Sequence, residues 1–211
     1  MTGNRDIIDE KWRQFLGLVK NFRHIPFADF VLASGSLVFG NLHEKSDFDV
    51  IIGVKYGRIF TARFLCKLFF GFHNKKTPDK ICLNHFVTEK SYRLSPPYNF
   101  YWKKLYQNLV PVYGPPQKIG AFFKANSWVG KPSSLFKLDS RHFYGASGIK
   151  AFLEKMLAGQ AGDFLEKILK FIQEKKHKNS KDATYKPRVI FTEAELELHP
   201  DTKRTEGLTR F

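Results

Sequence analysis

The sequence predicts an α+β protein, a small mixed sheet flanked by helices with an α-helical C-terminal part, and three observations carry that prediction. Short apolar runs bounded by glycine, serine or proline alternate with stretches of three-and-four spacing, in the order helix, strand, strand, helix, strand. Of the 211 residues, 43% are hydrophobic and 22 are Phe, ample material for a packed interior. After residue 95 prolines punctuate the chain and helical periodicity dominates. The length suits one domain with an appendage. The expected organisation is a sheet domain over 1–95, a mainly helical region over 96–198 and a polar tail over 199–211.

From Arg5 to Phe22, apolar residues at Ile7, Ile8, Trp12, Phe15, Leu16, Val19 and Phe22 form one stripe of a helix. Phe30 to Ala33 reads as a buried strand running into a glycine turn at Ser34, Gly35 and Ser36. Phe48 to Val54 is the second strand. Gly57 to Phe70 is a helix with a basic flank at Arg58, Arg63 and Lys67, and Lys80 to Thr88 is a third strand introduced by Thr77 and Pro78. Beyond these, Gln117 to Ala125 is a short helix, and Asn126 to Ser147 carries no readable pattern. Ile149 to Leu157 and Asp163 to Ile172 are helical, with Asp163 and Glu166 spaced as a capping box. Lys175 to Lys181 reads as a solvated linker, Arg188 to Phe191 as a strand, and Thr192 with Glu195 as the opening of a helical turn before the tail from His199.

The net charge of +15 is unevenly placed. Residues 1–56 balance, with 7 Lys+Arg against 7 Asp+Glu, whereas residues 57–150 hold 16 against 3, a balance of +13. A field this concentrated suits a polyanion such as RNA, a nucleoside triphosphate or an anionic membrane surface; a solvated surface that keeps the chain in solution explains it equally. Aromatics interleave with bases at Tyr98, Phe100, Tyr101, Trp102, Lys103, Lys104 and Tyr106. Their spacing favours an amphipathic helix burying Tyr98, Trp102 and Leu105 or Tyr106 over a base-stacking surface. The apolar stretch Ile59 to Phe72 is interrupted by Arg63 and Lys67, so no membrane span is expected. The N-terminus lacks the apolar segment of a secretory signal, and the two cysteines, Cys66 and Cys82, suit a reducing cytoplasm.

Chemistry concentrates between Ala33 and Val50. Asp47 and Asp49 are two apart at the mouth of a strand, so period-two alternation turns both carboxylates to one face. Adjacent carboxylates repel unless a cation lies between them, which makes the pair a metal site or an exposed acidic rim. Few carboxylates, completed by phosphate and water, suit Mg²⁺. Ahead of them Gly35 and Ser36 follow the first strand, where a glycine allows backbone N–H groups and a hydroxyl close to a phosphate. There is no Walker-type loop, no nucleophile elbow and no HExxH, and the histidines show no close-spaced ligand pattern. Cys82 and His85 sit at odd spacing on one strand, which predicts that they face opposite ways and share no zinc.

With Ser34-Gly35-Ser36 followed by Asp47-Phe48-Asp49-Val50, and with Gly40 and Ser46 in the intervening loop, the sequence resembles the DNA polymerase beta-like nucleotidyltransferase superfamily, in the form of its minimal bacterial members. The motif covers Phe30 to Val54, and a family-like helix and strand extend the resemblance to about Thr88. It implies the nucleotidyltransferase fold over 1–95. It also implies a catalytic and metal-binding role for Asp47 and Asp49 with Mg²⁺, phosphate contact by Gly35 and Ser36, and a nucleoside triphosphate such as ATP as substrate. A nucleotide monophosphate would pass to a hydroxyl of RNA, a protein or a small molecule. Family members usually carry a third carboxylate on a neighbouring strand. The matching strand, Lys80-Ile81-Cys82-Leu83-Asn84-His85-Phe86-Val87, has none. Alternation puts Lys80, Cys82 and Asn84 on one face, which makes Asn84 the stand-in metal ligand and Asp79 a weaker candidate. A catalytically weak nucleotide- or RNA-binding protein on the same fold is the rival reading.

Overall fold

The computed structural model of the chain describes residues 2–40, 46–76, 80–95, 100–130, 145–179 and 188–199. Helix α1 (Thr2–Val19) runs into a 3-10 turn, Lys20–His24, so the expected helix to Phe22 tightens before its end. Strand β1 (Ala28–Ser34) is followed by the single-turn α2 (Ser36–Phe39) and β2 (Phe48–Val54), and then by α3 (Ile59–Lys76) and β3 (Ile81–Thr88). Next come α4 (Phe100–Gln107), β4 (Val110–Tyr113), α5 (Pro116–Ala125) and a 3-10 turn at Ser127–Val129. Helices α6 (Gly148–Met156) and α7 (Gln160–Asn179) precede the strands β5 (Arg188–Phe191) and β6 (Glu195–His199).

The six strands form one open mixed sheet in the order β4-β1-β2-β3-β6-β5, in which β2 and β3 are parallel and every other pair is antiparallel. Helices cover both faces. On the first, Phe15, Val19 and Phe22 from the N-terminal helix and turn, with Ile59, Phe60, Cys66 and Phe70 of α3, pack on Val31, Phe48, Val50, Ile52 and Phe86. On the second, Trp102, Leu105 and Tyr106 of α4 with Ile119 and Phe122 of α5 pack on Phe30, Leu32, Ile51 and Val87. The amphipathic reading of α4 thus matches its burial at Trp102, Leu105 and Tyr106, while Tyr98 lies outside the described residues. Among the described residues no helix is long and apolar enough to cross a membrane.

Several sequence expectations need correction. The region beyond residue 95 supplies three of the six strands, because β4 adds to the β1 edge and the β5–β6 hairpin to the β3 edge. The helical turn expected after Thr192 is the turn of that hairpin: the Thr192 N–H donates to Glu195 O at 2.9 Å, and the Glu195 N–H donates to Thr192 Oγ1 at 2.9 Å. Glu195-Leu196-Glu197-Leu198 then alternates as a strand. Basic residues 175–179, expected in a linker, continue α7, and residues 180–187 lie outside the described set.

The capping box is absent as well. Asp163 already lies inside α7, its N–H bonded to Gly159 O at 3.0 Å, and its carboxylate pairs with Arg58 at 2.7 Å. Glu166 caps a different helix. Its carboxylate accepts the N–H groups of Phe60 and Thr61 at 2.9 and 2.8 Å and the Thr61 hydroxyl at 2.6 Å, satisfying the orphan donors at the start of α3.

Candidate functional site

The two halves of the sequence motif meet because β1 and β2 are antiparallel neighbours. Their register places Ser34, the last residue of β1, opposite Asp49. Gly35 then takes φ +68° and ψ −147°, a conformation open in practice to glycine alone. A Cβ built on it would lie 2.0 Å from Asp49 Oδ2 and 2.8 Å from the carboxyl carbon. The Asp49 carboxylate therefore occupies the space that a side chain at position 35 would need. The chain turns at once into α2, which buries Leu37 and Val38, leaves Ser36 half-buried, and ends at Gly40 with φ +69°.

Asp47 stands exposed just before β2, whereas Asp49 is half-buried within it. Phe48, between them, is fully buried on the first face against Phe15, with ring centroids 5.2 Å apart. Alternation around that anchor sends Asp49 to the second face, towards the glycine turn. Residues 41–45 of the motif loop lie outside the described residues.

The third strand departs from simple alternation. Asp49 pairs with Cys82 and Ile51 with His85, so Val50 alone faces both Leu83 and Asn84. This β-bulge shifts the faces by one residue: Leu83 and Phe86 both enter the first core, and His85 comes to the face that holds Cys82. The expectation that Cys82 and His85 point apart is therefore overturned. They still do not converge on one point, since Cys82 Sγ accepts the Asn84 amide at 2.9 Å while His85 Nε2 meets Glu195 Oε1 at 3.1 Å. Cys82, not Asn84, is the residue in register with Asp49, and Asp79 lies outside the described residues.

Four of the sixteen central bases are committed to internal contacts. Arg58 pairs with Asp163, Lys118 with Asp29 at 2.6 Å, and Arg63 donates to Gln173 Oε1 at 2.6 Å. Burial pushes the Arg63 guanidinium down to about 10. Lys150 is buried, bonded to Ala28 O and lying 3.4 Å from Tyr113 OH, and burial lowers its ammonium against the pull of Glu154 and Asp29. These bases fasten helices α6 and α7, along with α5, to the sheet domain.

One cluster had escaped the sequence reading. His85, Glu195 and Glu197 are all buried on the second face, where β3 and β6 pair His85 directly with Glu197. Ser91 and Ser95 donate to Glu195 Oε2 at 3.0 and 2.7 Å. Burial alone would raise the Glu195 carboxyl, but the bonds from His85, Ser95 and Ser91 outweigh it and hold the group below its ordinary range. The polar-apolar alternation of Glu195 to Leu198 was the available signal for this strand.

Compared with protein-family models, with curated proteins and with solved structures, the chain matches none.

Proposed function

We propose that the protein is a nucleotidyltransferase of the polymerase beta-like fold, carrying its site at the junction of β1, α2 and β2. The observation that carries the reading is the close approach of Gly35 to Asp49, where a Cβ would fall 2.0 Å from the carboxylate. A glycine turn and a carboxylate separated by fourteen positions in sequence are forced together, as a phosphate cradle beside a metal ligand requires. Asp47 and Asp49 offer oxygen donors with solvent access on one side, a set that fits Mg²⁺. Bound there, the ion would neutralise the triphosphate and acidify the attacking hydroxyl.

The chain's own residues divide the remaining work. Gly35 makes room for the Asp49 carboxylate beside the turn, and the half-buried Ser36 hydroxyl is available to donate to a phosphate oxygen. The acceptor hydroxyl gives its proton to water, its oxygen bonds to the α-phosphorus of the triphosphate, the bond to the bridging oxygen breaks, and pyrophosphate leaves. Changing Asp47 and Asp49 together to Asn is expected to remove Mg²⁺-dependent triphosphate binding with the circular dichroism spectrum unchanged. Equal affinity in wild type and double variant, with and without Mg²⁺, as read by calorimetry, would overturn the proposal.

A second reading, a nucleotide-binding protein with weak turnover, is favoured by Cys82, a residue without a carboxylate, in register with Asp49, where the resemblance leads one to look for an acid. If the missing carboxylate limits the reaction, Cys82→Asp should raise nucleotidyl transfer, with a positioned general base worth about 10²–10⁴-fold. Asn84→Asp, on the bulge, should raise it less. Brisk transfer by the wild type, unchanged in both variants, would place the acceptor's base elsewhere.

A further inference from the structure

We infer that His85, Glu195 and Glu197 form a second metal site, distinct from the Gly35–Asp49 junction, that binds a divalent first-row ion of the Zn²⁺ class and ties the C-terminal hairpin to the sheet. The inference does not depend on the nucleotidyltransferase reading.

The donors converge for a backbone reason. Glu195 and Glu197 are two apart on β6, so both turn to the second face, and the register sets Glu197 opposite His85. The bulge in β3 is what brings His85 to that face. One imidazole nitrogen and two carboxylate oxygens then lie within 4.8 Å of one another. The His85–Glu195 separation of 3.1 Å is already close to the roughly 3.4 Å between ligands on a tetrahedral ion with bonds of about 2.1 Å. Ser91 and Ser95 occupy Glu195 Oε2, which leaves Oε1 as the atom turned to His85. Such outer hydrogen bonds commonly orient a ligating carboxylate.

Charge points the same way. The three side chains are 3%, 2% and 0% exposed in the order His85, Glu195, Glu197. A divalent ion beside two buried carboxylates would lower the cost of keeping their charge from water. An imidazole donor favours Zn²⁺ over Mg²⁺, whose preference is for oxygen alone. Three protein donors leave a fourth position for a water, and burial this complete implies that the ion is loaded as the chain folds.

The test uses the full chain with Asp47 and Asp49 both changed to Asn, which removes the other candidate metal site from the count. The protein is refolded from denaturant with Zn²⁺, passed through gel filtration, and its metal content measured by mass spectrometry. About one equivalent is expected, with a Tm that falls on chelation and returns on adding Zn²⁺. Glu197→Gln, nearly isosteric, should reduce the bound metal at least tenfold. Refolding with Co²⁺ should give visible absorption bands of nitrogen and oxygen ligation, a readout that needs no folded variant. Retention of no stoichiometric metal, together with a Tm indifferent to chelator, would overturn the site in favour of a proton-held ion pair. Full metal retention in both Glu197→Gln and His85→Gln would overturn it as well.

Discussion

Gly35→Ala should abolish Mg²⁺-dependent triphosphate binding and any nucleotidyl transfer that accompanies it. The alanine would have to hold φ near +68° and ψ near −147°, at a cost of about 1–3 kcal/mol, while its methyl group overlaps the Asp49 carboxylate. Relief requires Asp49 to swing away or the β1–α2 turn to open, and either movement dismantles the junction. A fall of about 2 kcal/mol in urea stability, with binding below detection in calorimetry, is the expected pair of results. Asp49→Ala in the same background should recover only part of the stability and none of the binding, because the carboxylate overlap is gone while the strained backbone and a 2.9 Å approach to the Cβ of residue 49 remain. Triphosphate affinity within twofold of wild type in Gly35→Ala would show that this turn holds no phosphate.

Glu166→Ala should be strongly destabilising for a polar substitution. Three donors at the start of α3 lose their acceptor, and charged hydrogen bonds of this kind make the expected cost about 2–4 kcal/mol. Asp163→Ala is the natural control, since its carboxylate is 58% exposed and its pairing with Arg58 should contribute under about 1 kcal/mol. Glu166→Gln should fall between wild type and alanine, keeping an acceptor oxygen without the charge. If denaturant unfolding gives Glu166→Ala and Asp163→Ala the same midpoint, the cap is not what holds α7 to α3.

How much of this was legible in the sequence depended on whether local pattern or distant pairing decided each element. β2 and β5 could be read to the residue because their apolar runs have sharp polar borders. That Gly35 and Asp49 belong to one site was suggested by the family resemblance, and the antiparallel register of β1 and β2 is what brings them together. What stayed hidden was set by partners far along the chain. Glu166 has the spacing of a local capping residue, but its partners Phe60 and Thr61 lie more than a hundred positions earlier. β4 is four residues with Pro111 inside, a composition that argues against a strand until its place at the sheet edge is known. The bulge at Leu83 and Asn84 leaves no mark in an apolar-rich strand, yet it decides that His85 joins Glu195 and that Cys82 faces Asp49. A sequence read one segment at a time cannot supply those registers.

The position of β6 beside β3 bears on how the protein is made. During synthesis Thr88 leaves the ribosome roughly a hundred residues before Leu196, a delay of about 5–20 s at usual elongation rates. Through that interval the outer edge of β3 has no strand to pair with, and Phe86 lacks Leu196, its neighbour in register. An unpaired strand edge invites pairing with another chain. Nascent chains on one message would thus be most vulnerable to mutual aggregation just before the last strand emerges, and slowing translation downstream of β3 should lower soluble yield where the same slowing after β6 should not.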